Sequence, residues 1–198
     1  MLIVADDAER TEVELAAGEL ACPDCHGELR PWGHARPRWL RTSHARRRIC
    51  PRRACCSACG RTHVLLPGVM LARRADAVEV IGAALIASAA GAGHRAIAAR
   101  LGRPHATVRG WLRRFVARAE QTAAHAVRCV HRFDTAAFRV EPATGATPVQ
   151  AALELLAWAA AVAERVKGRQ ARSRWQVVSS LCSGRLLANT RCPYPPLA

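Results

Sequence analysis

Cys22-Pro23-Asp24-Cys25 and Cys56-Ser57-Ala58-Cys59 decide how the amino-terminal half of this chain is read. Each is a C-x-x-C pair in a turn-forming context, with Gly27 two residues beyond the first pair and Gly60 directly after the second. Such a pair presents two thiolates to one metal ion, and two pairs complete a tetrahedral four-cysteine set. Glycine just beyond each pair is expected to let the backbone fold around the ion, because it tolerates positive φ. The spacing predicts one structural Zn²⁺ on Cys22, Cys25, Cys56 and Cys59. The separation between the pairs exceeds the usual window, so the insert is expected to hold a hairpin. Unrelated reduced cysteines are the plainer alternative, and the paired spacing argues against it.

Charge says what such a chain meets. It has 198 residues and a formal net charge of +15, with a single lysine, Lys167, among its 30 basic residues. Genome composition can favour Arg over Lys, but it does not explain the surplus of basic over acidic residues. A strongly basic chain points to nucleic acid first and an anionic membrane second. Six acids and one Arg fall within residues 1–20, whereas twelve Arg and two acids fall within 21–74. The acidic start has the wrong sign for a signal peptide. The apolar stretches 77–93 and 151–163 are interrupted by Glu79 and Glu154 and are too short to span a bilayer. Nine cysteines without an export signal suggest a reducing, cytoplasmic setting with thiols on metal, and nucleoid association follows from the charge.

The pattern divides the chain into an acidic, poorly ordered or marginally helical arm (1–20), a four-cysteine zinc ribbon (21–68), a helical DNA-binding unit (75–131), a linker (132–146) and a carboxy-terminal helical region (147–198). Val64-Leu65-Leu66 reads as a strand stopped by Pro67-Gly68. Val78, Ile81 and Leu85 recur at helical spacing. Thr147-Pro148-Val149-Gln150 reads as a capping box opening a helix that ends at Gly168, and Ser173-Arg174-Trp175-Gln176 begins a shorter one. The predicted fold is mainly α with a small β zinc ribbon on the amino-terminal side.

A second signal lies in Ile97-Ala98-Ala99-Arg100-Leu101-Gly102-Arg103-Pro104-His105-Ala106-Thr107-Val108-Arg109-Gly110-Trp111-Leu112. Ile97, Ala98 and Leu101 give one short helix an apolar face. Gly102 stands where that helix must turn, and Pro104 suits the first turn of the next. Val108, Trp111, Leu112 and Phe115 then form a buried face at i, i+3, i+4 and i+7. This is the logic of a helix-turn-helix, here a homeodomain-like three-helix core, whose second helix enters the major groove. His105, Ala106, Arg109, Gly110 and Arg113 would point outward. Arg109 is the candidate base contact, since its planar fork matches the O6 and N7 acceptors of guanine. Thr107, Arg113 and Arg114 would hold phosphates. A helical hairpin with a solvated arginine face is the bland alternative.

Together these parts resemble an actinobacterial, transposase-related family of unknown function that carries a zinc ribbon followed by a helix-turn-helix. The resemblance rests on Cys22-Pro23-Asp24-Cys25, Trp32-Gly33, Arg52-Arg53, Cys56 through His63, Leu65-Leu66-Pro67 and the helix-turn-helix, covering roughly residues 20–120. Gly184-Arg185-Leu186-Leu187-Ala188-Asn189-Thr190 resembles that family as well. Cys50 and Cys55 are additional to its pattern and leave open a register in which one of them, Cys55 in particular, replaces Cys56.

Between the cysteine pairs, Trp32, Trp39 and the arginines from 36 to 53 form either a basic aromatic face or a small core with solvated charges. Arg46, Arg47, Arg48, Arg52 and Arg53 are the candidate phosphate contacts. His26, His34, His44 and His63 lie near the metal region, but two intact cysteine pairs make them unnecessary as ligands. His125 and His131 read as a polar helix face. Cys129, Cys182 and Cys192 read as reduced thiols. Trp158 reads as core or as a dimer contact. The carboxylates beyond residue 75 are too scattered for two-metal strand cleavage, and four thiolates leave zinc no open position. The expectation is a sequence-specific, non-enzymatic protein whose partner is double-stranded DNA. It allows for a homodimer and has no membrane or small-molecule partner. Two other readings stay open: an RNA-associated or protein-interaction zinc ribbon, and the DNA-targeting subunit of a recombinase or transposase.

Overall fold

The computed structural model describes residues 1–136, 141–167 and 173–188. The expected helix end at Gly168, Cys192 and the end of the Gly184–Thr190 motif lie outside them. The cysteine-rich half folds as short strands, with β2 (Leu29–His34) and β6 (Thr62–Pro67) each pairing antiparallel with a central β5 (Arg52–Cys56). The strand expected around Val64–Leu66 is β6, and it carries Leu65 and Leu66 into the interior at 1% exposure each. The hairpin expected in the insert is β3 (Arg38–Arg41) paired with β4 (Arg46–Ile49), as a separate two-stranded sheet.

The acidic amino terminus is not a loose arm. Residues Leu2–Val4 form β1, which pairs in parallel with β6 and completes a sheet of order β1-β6-β5-β2. Helix α1 (Ala8–Ala16) follows, with the Asp7 side chain accepting from the Glu9 and Arg10 backbone N–H groups at its start. It buries Leu15 beside Leu29 and Leu65, and Glu12 lies 2.8 Å from Arg52 Nε. That contact is an ion pair by distance but too bent for a hydrogen bond. The acids at this end are thus partly spent against the basic strands.

Six helices follow among the described residues: α2 (Val78–Ala89), α3 (His94–Leu101), α4 (His105–Val116), α5 (Ala119–Phe133), α6 (Pro148–Lys167) and α7 (Arg174–Leu181). Helix α2 is covered on most sides, burying Val80, Gly82, Ala84 and Ala87 besides the expected Val78, Ile81 and Leu85. Trp175 of α7 lies against Gly82 so closely that a methyl group there would overlap the indole. The expected capping box at Thr147 forms, and the start of α7 carries a second one. Gln150 Oε1 accepts from Thr147 N–H at 2.8 Å, and Ser173 and Gln176 cap each other's backbone at the start of α7.

The larger core runs without a break from Leu40 and Leu66 through α2, α3 and α4 to α5, α6 and α7. The expected linker therefore does not separate two cores. Residues 173–188 fold back over the segment that joins β6 to α2. Ser179 Oγ donates to Met70 O at 2.9 Å, Ala72 N–H to Gly184 O at 2.8 Å, and Arg74 Nη2 to Leu187 O at 2.6 Å. His125, expected on a polar face, is 1% exposed, with Nε2 2.9 Å from Leu181 O. Burial holds its pKa below the usual histidine value. Cys129 and Cys182 are buried free thiols, and burial pushes the Cys129 thiol up to about 11. Trp158 is partly buried against the same core. No helix among the described residues is long and apolar enough to cross a membrane.

Candidate metal centre and basic surface

The two C-x-x-C pairs fold into matching knuckles. In the first, Cys22 N–H donates to Gly27 O and His26 N–H to Cys22 O. In the second, Cys56 N–H donates to Arg61 O and Gly60 N–H to Cys56 O. The residue four positions after the leading cysteine is left-handed in both, His26 at φ 62° and Gly60 at φ 70°. Gly60 acts as expected. Gly27 does not: its φ is ordinary, and it is needed for space. A Cβ there would stand 2.7 Å from Ala58 Cβ and 3.0 Å from Cys56 Sγ.

The knuckles bring Cys22, Cys25, Cys56 and Cys59 together, their Sγ atoms all within 4.8 Å of one another. Cys25 and Cys56 are 3.4 Å apart and Cys22 and Cys59 3.9 Å. Four sulfurs on an ion at about 2.3 Å in a tetrahedron stand about 3.8 Å apart, so the set fits one metal ion. Backbone N–H groups of Cys59 and Ala58 favour the Cys56 thiolate and bring it to about 7. Cys55, the alternative ligand, faces elsewhere, with Sγ 3.4 Å from Gly60 O, and Cys50 lies against Ala35 O. The register is therefore Cys56. His63 is an addition the sequence reading set aside. At 4% exposure, its Nε2 is 3.4 Å from Cys22 Sγ and its Nδ1 is 3.0 Å from the Met1 amine. It buttresses a candidate ligand, as partners of metal-bound groups commonly do. Its position four residues beyond Cys59, on a strand leaving the knuckle, was the available signal.

The candidate nucleic-acid residues are distributed unevenly. Helix α3 ends at Gly102, which is left-handed at φ 60°, and a three-residue turn leads to α4. Pro104 stands just before α4 rather than in its first turn, and its carbonyl accepts from Thr107 and Val108 N–H. Val108, Trp111 and Phe115 are buried and Leu112 partly so. His105, Ala106, Arg109 and Arg113 are exposed, while Thr107, Gly110 and Arg114 are half-buried. Arg114 Nη1 donates to Gly110 O at 2.9 Å, so part of that guanidinium is engaged within its own helix.

In the β half, Arg46, Arg47 and Arg48 are exposed. Arg52 is drawn inward, to Glu12 and to Gly33 O, and Arg53 Nη2 donates to Thr62 Oγ1 at 3.1 Å. Trp32 and Trp39 are 58% and 53% exposed, which excludes the reading in which they fill a small core.

Sequence reasoning missed one cluster altogether. Asp76, 2% exposed, accepts from Arg41 Nε and Nη2 at 3.0 and 2.6 Å and from Arg103 Nε at 2.6 Å. A single aspartate thus joins the end of β3 to the turn between α3 and α4. A lone acid in a basic sequence gives no periodic signal from which this could be read.

A family model described as a domain of unknown function (DUF6431) matches residues 22–111, from the first knuckle to the middle of α4. Comparisons with curated proteins and with solved structures give no match.

Proposed function

We propose that this chain is a double-stranded DNA-binding protein without a catalytic step of its own, in which α3 and α4 act as a helix-turn-helix and the four cysteines hold one structural Zn²⁺. The observation that carries the reading is α4 itself. It follows a left-handed glycine turn, buries Val108, Trp111 and Phe115, and exposes Arg109 and Arg113 on a face that holds no acid. In this reading the exposed face enters the major groove, Arg109 reads a guanine edge and Arg113 holds a phosphate. Four thiolates at tetrahedral spacing suit zinc and leave no position for a reacting water. Two of the later carboxylates are already engaged: Asp134 by Arg165 at 2.8 Å and Glu154 by Ala143 N–H. A regulator or a DNA-targeting piece of a mobile element is the role that the resemblance of the sequence motifs to a transposase-related family suggests.

Selection of bound sequences from random duplex DNA, followed by competition with structured RNA, tests this. Arg109→Ala should weaken binding to the selected duplex by about 1–3 kcal/mol and relax one base position. Arg113→Ala should weaken all duplexes alike and lower the salt slope by about 0.9. A chain that enriches no duplex sequence, or binds RNA better, would remove this reading and favour the RNA-associated one.

A further inference from the structure

The β3–β4 hairpin is fastened to the helices at three heights. Along its strands Leu40 is fully buried in the larger core and Ile49, at the base, packs against that core. At the last strand pair Arg41 N–H donates to Ala75 O and Ala77 N–H to Arg41 O, while the Arg41 guanidinium grips Asp76 with two bonds. At its tip the Arg103 Nη2 donates to Thr42 O at 2.7 Å. Thr42 closes the loop tightly, its hydroxyl accepting from Ala45 N–H at 2.9 Å. Arg103 also bonds Asp76 and the carbonyls of Leu101 and Gly102. The hairpin tip is therefore locked to the turn from which α4 starts.

On the other side of the hairpin, Arg46 and Arg48 have no ion-pair partner among the described residues. The register sets Trp39 opposite Arg48 and Arg41 opposite Arg46, so these four residues share one face. Arg41 is turned to Asp76, while Trp39, Arg46 and Arg48 are exposed, and the Arg46 guanidinium sits 5.5 Å from the Trp39 ring centre. Between Glu28 and Asp76 the sequence has no acidic residue. Alternate positions on a strand lie about 6.6 Å apart, so Arg46 and Arg48 present two aligned charges that a run of backbone phosphates can meet.

We propose that the β3–β4 hairpin is a second DNA-binding element that grips phosphates of the same duplex beside the segment read by α4. Asp76 is the positioning residue that holds hairpin and helix in one fixed spacing. This rests on the major-groove reading of α4. The clamp means that both elements are presented as one rigid surface, and the order lost on binding is correspondingly small. Trp39 orients Arg46 rather than stacking on a base, since a duplex offers no free base face there.

The test is a hydroxyl-radical footprint and a salt titration on the selected duplex, comparing the native protein, Arg46→Ala/Arg48→Ala and Arg41→Gln. The native footprint should extend past the base pair set by Arg109 on the side of the α4 amino terminus. The double variant, altered only at exposed side chains, should lose that flanking protection and lower the salt slope by about two units, with base preference unchanged. Arg41→Gln frees the hairpin side of the clamp while Asp76 keeps Arg103. It should blur the same flank with zinc content and base preference intact. A footprint and slope equal to the native ones in the double variant would overturn the hairpin proposal alone. Loss confined to single-stranded DNA would overturn the duplex assignment. A native protein that binds no duplex would overturn the major-groove reading and this proposal with it.

Discussion

The smaller core of this molecule consists of Leu15, Cys22, Leu29, Ala54, Cys56 and Leu65, whereas the larger one threads every helix from α2 to α7 and reaches back to Leu40 and Leu66. Two of the six side chains in the small core are candidate metal ligands. Stripped of them, it offers four small or medium apolar groups under a four-stranded sheet, far less than an independent fold needs. The helical core has no such shortfall. The comparison teaches that the boundary between the two does not follow the sequence: the hairpin sits inside the cysteine-rich segment but leans on the helices. Metal should therefore govern the knuckles, β2 and the docked amino terminus, and govern the hairpin much less.

The largest expected effect breaks the small core. Structural zinc supplies on the order of 10–16 kcal/mol of apparent binding free energy in small peptides. Cys56→Ser should abolish stoichiometric zinc and expose the amides of β2, β5 and α1 to hydrogen exchange, while those of α2 and α6 stay protected. Cys55→Ser should do neither. Metal analysis that finds no zinc in native protein, or damage from Cys55→Ser alone, would contradict the assignment.

Gly82→Ala makes the converse cut. The added methyl overlaps the Trp175 indole, so α2 and α7 must separate. Overpacking of this kind costs about 1–3 kcal/mol, against which the ~1 kcal/mol of helix propensity that alanine restores is small. Denaturant unfolding followed by helical circular dichroism should shift accordingly, with zinc content unchanged. Zinc loss in this variant would show that the two cores are not separable.

Gly27→Ala returns to the small core with a more local change. The clash falls on Ala58 Cβ and Cys56 Sγ, neither of which is the end of a flexible side chain. About 1–3 kcal/mol is expected here too, but read as weaker zinc retention against a chelator rather than as loss of helix. Unchanged retention would mean that the knuckles can shift relative to each other.

What the sequence made legible was whatever is written in local spacing. The cysteine pairs, the capping box at Thr147, the helix start at Ser173, the strand at Val64–Leu66 and the apolar stripe of α4 are all marked within a few residues. The features missed depend on partners distant in sequence. Leu2-Ile3-Val4 is too short to signal a strand, and its pairing with β6 across more than sixty positions has no local mark. His125 is buried because Leu181 supplies an acceptor. Arg52 and Arg53 look identical to Arg46–Arg48 in sequence, and only the docking of α1 and the pairing with β6 separate spent charges from free ones. Gly27 was noticed for the right location and the wrong reason, because steric room beside the opposite knuckle cannot be read from one strand alone.

The smallest expected effect compares the knuckles with each other. His26 and Gly60 occupy equivalent left-handed positions, and nothing lies within 4 Å of a Cβ placed at Gly60. Left-handed backbone costs an ordinary residue roughly 1–2 kcal/mol, and glycine avoids that cost while losing more freedom on folding. Gly60→Ala should thus cost about 1 kcal/mol with no steric component. His26→Gly should stabilise the first knuckle by about 0.5 kcal/mol, since the exposed imidazole forms no hydrogen bond among the described residues. Chelator competition on the two single variants and on the double measures both, and their effects should add to within a few tenths of a kcal/mol. If His26→Gly instead destabilises zinc retention, the imidazole contributes to the site in its own right. The equivalence of the two knuckles would then hold for the backbone only.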